Sequence, residues 1–240
     1  MKEISIANPF AAPVWYTDEI DSTMNILRLI ENPVNGTILA AGLQTAGRGR
    51  LSGRVWEGIR NENLCFSIFL DSSFLKFPLT SLSVRTAFAG IEFLVKEYSV
   101  SAKVKWPNDV LAEGKKISGI LLDSGKNGTV IGCGINCLQK NFDNYRTPAT
   151  SVSIESGSND LPLFILEKFL PYLHRELTGS VPVKSRQDLI FGLGTETALK
   201  TGHPDSGDTV RGKISGFNED GSLILETENG SVPIYSGEYL

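Results

Sequence analysis

Hydrophobic residues along this chain change their period several times, and each change marks an element. Residues 14–16 (VWY) are a short apolar run, and residues 37–43 (TILAAGL) are a longer one. Apolar runs of that length bounded by turn residues read as buried strands. Between them Leu27 and Ile30 fall at helical spacing within residues 24–31, preceded by Asp21, Ser22 and Thr23. All three are residue types that cap helix starts. Asn35-Gly36 supplies a tight turn into the second strand. Residues 63–70 (NLCFSIFL) predict a third strand. Pro78 then opens a helix over residues 79–98, whose Leu82, Ala87, Ile91, Leu94 and Tyr98 share the face that packs on a sheet.

From residue 102 the chain alternates in period two. Residues 102–106 (AKVKW) are a strand, Pro107-Asn108-Asp109 a turn, and Val110-Leu111 the start of another strand. Glu113-Gly114 turns the chain into residues 115–123, and Lys126-Asn127-Gly128 turns it again into residues 129–138. Turns this short make the strands antiparallel neighbours. Residues 141–159 are polar and predict a loop over the sheet. Asp160 is placed to cap a helix with Pro162 in its first turn and Leu166, Phe169, Leu170, Leu173 and Leu177 on its buried face. Residues 185–193 predict a further helix start. From Glu196, short strands are punctuated by Asp205-Ser206-Gly207, residues 218–221 and Glu228-Asn229-Gly230, the texture of a small antiparallel barrel of about five strands. The expected fold is α+β, a mixed and largely antiparallel sheet with helices, divided into residues 1–190 and 191–240.

Composition narrows the function. With 240 residues and 41% apolar side chains the chain can bury a core, and a formal net charge of −4 argues against a dedicated nucleic-acid binder. No apolar run reaches the roughly 18 residues that a membrane span needs, and the N-terminus lacks a basic-then-apolar signal, so a cytoplasmic protein is expected. Cys65, Cys133 and Cys137 each sit in a strand-like run and read as buried free thiols. His174 and His203 lie in no ligand-spaced motif, which leaves little material for zinc or for a Ser-His-Asp triad.

Against that acidic background residues 44–54 (QTAGRGRLSGR) stand out. Gly47, Gly49 and Gly53 permit positive φ and close approach of a ligand, while Arg48, Arg50 and Arg54 bring three guanidiniums with no acid in the stretch. Backbone amides plus planar cations suit an oxygen-rich anion such as a phosphate. The alternative is a solvated surface loop. No Gly-Lys-Ser/Thr closes the stretch, so it is not a Walker loop. Gly119, Gly132 and Gly134 lie inside strands, where they weaken the ladder and let another group approach the backbone.

The order Ser22-Thr23, QTAGRGR at 44–50, KWPND at 105–109, GKKISGIL at 114–121, Gly134-Ile135-Asn136 and finally Gly237-Glu238 resembles the biotin protein ligases from about residue 14 to the end. The resemblance implies a mixed sheet with helices on one side, followed by an SH3-like barrel. It implies an enzyme that makes biotinyl-5′-AMP from biotin and MgATP, then transfers biotin to a lysine of a carboxylase's biotin carboxyl carrier domain. By resemblance Ser22 and Thr23 meet the ureido end of biotin, with Met24 and Gln44 in the same pocket. Arg48, Gly49 and Arg50 wrap the adenylate, Trp56 covers adenine, and Gly119 and Asn136 belong to the same site. Lys116 contacts the biotin carboxylate and the phosphate, and Asn108 and Asp109 stand where the acceptor lysine arrives. Lys116, Arg48 and Asp109 are the candidate catalytic residues. No metal-ligating residue is singled out, and Mg2+ is expected with ATP.

The chain departs from the family pattern in three places. Leu51-Ser52 lengthens the loop by one residue, Glu62-Asn63-Leu64-Cys65 replaces Gly-Asn-Leu-Tyr, and Met24 stands where a polar residue is frequent. Nothing before Met1 supplies a helix-turn-helix, so neither DNA nor a membrane is an expected partner, and a homodimer is left open. The loop is expected to order on binding, because its glycines lose much entropy and its arginines repel until an anion arrives. The rival readings are a lipoate or octanoate ligase of related fold and a non-catalytic anion- or nucleic-acid-binding relative.

Overall fold

The computed structural model describes residues 1–51, 53–143, 145–202 and 207–240. Ser52, His203 and most of the turn expected at Asp205-Ser206-Gly207 lie outside the described residues.

Eight strands make one sheet: β1 (Lys2–Glu3), β2 (Val14–Thr17), β3 (Ile38–Ala41), β4 (Asn63–Asp71), β5 (Ala102–Lys105), β6 (Asp109–Ala112), β7 (Lys115–Gly125) and β8 (Gly128–Asn136). Their order is β1-β2-β3-β4-β8-β7-β6-β5. The short turns between β5 and β8 give the expected antiparallel meander. Strands β2 and β3 pair in parallel, because helix α1 (Thr23–Leu29) lies between them in sequence and carries the chain back to the same end.

Alternation along β4 and β8 creates two dissimilar faces. Leu64, Phe66, Ile68 and Leu70 join Ile131, Cys133 and Ile135 in one large core beneath helices α2 (Leu79–Tyr98) and α4 (Pro162–Thr178). Each such side chain contributes about 1.5–3 kcal/mol by leaving water. On the opposite face Leu39, Phe69 and Val130 meet Met24 and Leu27 of α1 in a smaller core. The two long helices therefore share one side as expected, and the short α1 takes the other.

Three local expectations change. The loop at 141–159 contains helix α3 (Val152–Ser156), whose cap is Ser151 accepting from the Ile154 amide at 3.2 Å. Leu161, not Asp160, is the N-cap of α4; the Asp160 carboxylate instead accepts from the Tyr98 hydroxyl at 2.8 Å and faces Lys168 at 3.3 Å. Residues 185–193 form no α-helix. Two 3-10 turns, Val183–Ser185 and Gln187–Leu189, lead to a backbone bond from Phe191 to Val104 that ties the linker to the edge strand β5.

The C-terminal part holds the predicted five strands, β9 (Glu196–Thr201), β10 (Thr209–Phe217), β11 (Leu223–Thr227), β12 (Gly230–Ile234) and β13 (Gly237–Tyr239), in the antiparallel order β12-β11-β10-β9-β13. Among the described residues the end strands β12 and β13 do not pair with each other, so no closed hydrogen-bonded barrel is formed there. Phe217 packs against Phe88 of α2, with ring centroids 6.2 Å apart. All three cysteines are buried and free. Among the described residues no helix is long and apolar enough to cross a membrane.

Candidate functional site

A cavity of about 590 Å³ opens on the α1 side of the large sheet. Its floor is glycine. Gly119 and Gly134 are directly paired across β7 and β8, with Gly132 further along β8. A Cβ on Gly132 would lie 2.6 Å from the Met24 sulfur, and one on Gly119 would lie 3.0 Å from both the Trp56 ring and the Lys116 stem. A Cβ on Gly134 would enter the Trp56 indole. The strand glycines are thus needed for close approach: Met24 and Trp56 rest where side chains would otherwise stand. Among the described residues the buried Trp56 indole N–H meets no oxygen or nitrogen acceptor.

One wall comes from α1 and the end of β3. The Thr23 amide and hydroxyl both donate to Gln44 Oε1, at 2.8 and 3.0 Å, and the hydroxyl also lies 2.7 Å from that of Ser67 on β4. Ser22 is the N-cap by position, yet its side chain makes no capping bond. Asp21 Oδ1 instead accepts from the Ser22 amide at 2.6 Å. The hydroxyls of Ser22 and Thr23 are nearly fully buried at the cavity margin, which is a pocket wall more than a plain cap.

The arginine loop folds back on itself. Gly49 donates to the Arg54 carbonyl at 2.7 Å and Trp56 to the Gly47 carbonyl at 3.0 Å. Of its three glycines only Gly53 has positive φ, at 76°. Gly47 and Gly49 answer a different need, since a Cβ would lie 2.6 Å from the Trp56 carbonyl oxygen in the first case and 2.9 Å from Arg54 Cβ in the second. Each guanidinium has its own acceptor. Arg48 faces Asp123 of β7 at 3.5 Å, a carboxylate it shares with Arg28 of α1; Arg50 donates to the Gly237 carbonyl at 2.7 Å; Arg54 pairs with Glu238. Burial lowers the Arg50 guanidinium from its ordinary value. Arg54 is lowered by burial and then by the neighbouring cations Arg146 and Arg50.

Opposite the loop, Lys116 Nζ lies 2.6 Å from Asp109 Oδ1 and 5.7 Å from the Trp56 ring centroid. Asp109 Oδ1 has no aligned hydrogen bond, so the pair is a charge contact. Lys116 is held through its backbone: its amide donates to Pro148 at 2.8 Å and its carbonyl accepts from Thr150 at 2.9 Å. The Asn136 amide group donates to the carbonyls of Thr150 and Lys116, at 2.9 and 3.3 Å, and Asn63 donates to Asn136 Oδ1 at 3.0 Å. Asn108 exchanges two bonds with Ile120, at 2.8 and 2.9 Å. Asn136 therefore shapes the wall behind Lys116, and Asn108 holds the turn that carries Asp109. Among the described residues no three His, Cys, Asp or Glu side chains gather as a metal cage.

The fold thus brings Ser22, Thr23, Met24, Gln44, Arg48, Gly49, Arg50, Trp56, Asn108, Asp109, Lys116, Gly119 and Asn136 around one space. Sequence reasoning missed Ser67, Asp123, Arg146 and the segment leading to Ala149. Ser67 is the one polar residue in the interior of an otherwise apolar strand, a signal that was there to use. The others carry no local mark.

Comparison with known proteins agrees with this geometry. The profile of the biotin/lipoate A/B protein ligase family matches residues 16–141, and that of the biotin protein ligase C-terminal domain matches residues 203–238. The chain is 30% identical over 239 residues to the bifunctional ligase/repressor BirA of Bacillus spizizenii, covering 93% of this chain and 72% of that protein. It is 29% identical over 212 residues to a biotin–[acetyl-CoA-carboxylase] ligase of Paracoccus denitrificans, covering 81% and 86%. A biotin protein ligase from Aquifex aeolicus, solved in complex with biotin and ATP, superposes with a TM-score of 0.80 at 30% identity over 95% of this chain and 97% of that one. The extent of these matches, over a cavity whose residues are those the motifs single out, places the chain in the biotin/lipoate A/B protein ligase family.

Proposed function

We propose that the chain is an ATP-dependent biotin protein ligase acting on the biotin carrier domain of a carboxylase. The observation that carries this reading is the convergence of Lys116 and Arg48 on a glycine-floored cavity whose far wall is the Thr23–Gln44 pair. The apolar bicyclic part of biotin packs against the Met24 and Trp56 side chains that cover Gly132 and Gly134, with its ureido group toward Ser22, Thr23 and Gln44. Its carboxylate points to Lys116. In the first step a carboxylate oxygen attacks the α-phosphorus of ATP; the new P–O bond forms as the bond to the β-phosphate breaks, and pyrophosphate leaves. Two anions must meet, so fixed cations and amides from Lys116, Arg48, Gly49 and Arg50 stabilise the transition state more than the separated reactants. Magnesium arrives as the MgATP substrate complex.

In the second step the acceptor lysine, deprotonated with help from Asp109, attacks the acyl carbon of biotinyl-5′-AMP. A C–N bond forms, the C–O bond to phosphate breaks, and AMP departs with the electron pair. Trp56 serves the adenine side and Asn136 the wall behind it. Residues 1–190 act as the catalytic unit and 191–240 as a separate C-terminal one. Incubation with MgATP and either biotin or lipoate, followed by mass spectrometry of the adenylate, tests the reading; a lipoyl adenylate with no biotinyl adenylate would overturn it.

A further inference from the structure

The C-terminal sheet reaches the cavity by two routes. One is the direct contact of Gly237 and Glu238 with the arginine loop. The other is hidden under the KWPND segment. The turn at residues 218–221, between β10 and β11, is plugged against the first turns of α2. Thr80 Oγ1 donates to the Asp220 carbonyl at 2.6 Å, and Gly221, with φ of 83°, sits so close that a Cβ would lie 2.7 Å from the Ser81 Cα. Glu219 accepts from the buried Arg85 guanidinium at 3.2 Å and from the Val183 amide at 3.1 Å. The turn is therefore fixed to α2 and to the interdomain linker together.

The Gly221 carbonyl receives the Trp106 indole N–H at 3.0 Å. Trp106 is only 2% exposed, and a buried indole N–H left without a partner destabilises the place it occupies. Ser83 on the same stretch of α2 donates to the Pro107 carbonyl at 2.8 Å. Trp106 and Pro107 lead directly into Asn108 and Asp109, whose placement ends in the double bond to Ile120 and the contact with Lys116.

We infer that the 218–221 turn is a positioning element for Asp109, acting through Trp106, and that it serves the transfer of biotin to the acceptor lysine more than the formation of the adenylate. The inference rests on the proposed ligase reading. The adenylation cations approach the cavity from the arginine loop and from β7, whose backbone is held by residues 148–150. Asp109 is the first residue of β6, directly after the turn that Trp106 anchors, and a carboxylate that must accept a proton loses efficiency steeply when displaced by an ångström. Trp106 is a positioning residue in this scheme, since it touches no reacting atom.

The test compares wild type with Trp106→Phe, which keeps an aromatic ring and removes the donor, with Gly221→Ala, which forces the turn off α2, and with Thr80→Val, a milder loosening that retains the core. Two rates are measured: pyrophosphate release with biotin and MgATP, and single-turnover transfer from added biotinyl-5′-AMP to a biotin carboxyl carrier domain. Transfer should fall at least tenfold in Trp106→Phe and Gly221→Ala, and about threefold in Thr80→Val, with pyrophosphate release within threefold of wild type. Hydrogen exchange at the Ile120 amide should accelerate about tenfold in the same variants, a readout independent of activity. Equal loss of both rates, or unchanged transfer and unchanged exchange in folded variants, would overturn the inference. An inactive wild type with accelerated Ile120 exchange in the variants would remove the ligase reading and leave the turn as the seat of Asp109. If Gly221→Ala fails to fold, Thr80→Val and Trp106→Phe decide.

Discussion

Replacing Lys116 with alanine separates chemistry from folding. The ammonium forms an ion pair with Asp109, and its stem lies over Gly119 beside Trp56. Loss of one preorganised charge contact at a developing phosphoryl charge costs about 2.7–4 kcal/mol, or about 10²–10³ in rate. The effect on stability is much smaller. Lys116 and Asp109 side chains are 27% and 25% exposed, so solvent screens the pair, and such contacts are worth about 0–1 kcal/mol. For a chain of this size that is a shift in melting temperature of at most about 2–4 °C. The wall itself should survive, because Lys116 is anchored to Pro148 and Thr150 through its backbone, which alanine retains. Biotin-dependent pyrophosphate release and thermal unfolding by circular dichroism, measured on the same preparation, check both halves. A rate within threefold of wild type would take Lys116 out of the mechanism, and a fall of more than about 10 °C would mean that the side chain holds the fold.

Gly134→Ala puts a methyl group into the Trp56 indole and should expel the ring, at about 1–3 kcal/mol if it resists; a red shift in tryptophan emission reports this, and an unchanged spectrum would contradict the glycine floor. Burial pushes the Cys65 thiol up to about 11 and raises Cys133 and Cys137 as well. The native chain keeps protons that the unfolded chain releases above about pH 8.5, so stability should fall as pH rises from there toward the folded values, by up to about 1.4 kcal/mol per unit per thiol. Urea midpoints at pH 8 and 10 measure the slope, and Cys133→Ala should flatten it; an unaltered slope would refute the assignment. Trypsin cleavage within residues 48–54 should slow when biotin and MgATP are both present, and equal rates would mean that the loop is a finished cradle before ligand arrives.

The strands from β4 to β8 were legible because tight turns dictate antiparallel partners and leave little topological freedom. The side of the sheet occupied by α1 was not. Leu64, Phe66, Ile68 and Leu70 face one core while Phe69 faces the other, so β4 is apolar on both faces and its pattern names neither. Helix α3, five residues long, is too short to show a period, and the 3-10 turns near residue 185 share residue types with a helix start. Candidate site residues were legible as motifs, but two of the loop glycines were read for the wrong reason. Steric need at Gly47 and Gly49 arises from residues 54–56 folding back over them, with Trp56 against the first and Arg54 against the second, contacts that exist only in the folded loop.

The arginine loop shows where local reading and tertiary context diverge. Within residues 44–54 no acid balances three guanidiniums, which predicts mutual repulsion until an anion binds. In the folded chain the balancing groups come from elsewhere: Asp123 from β7, and Glu238 with the Gly237 carbonyl from β13. Those carboxylates are a third exposed, so each contact is weak, of order 1 kcal/mol. Weak internal acceptors suit a site that must change partners. A stronger, buried set would compete with phosphate for the same donors, and none at all would leave the loop without a starting position. Under the proposed function an incoming phosphate exchanges one set of acceptors for another, and the net gain is the difference between an exposed carboxylate and a polyanion enclosed in the cavity. Because one of the displaced partners belongs to β13, ligand binding and the seating of the C-terminal sheet draw on the same interaction energy.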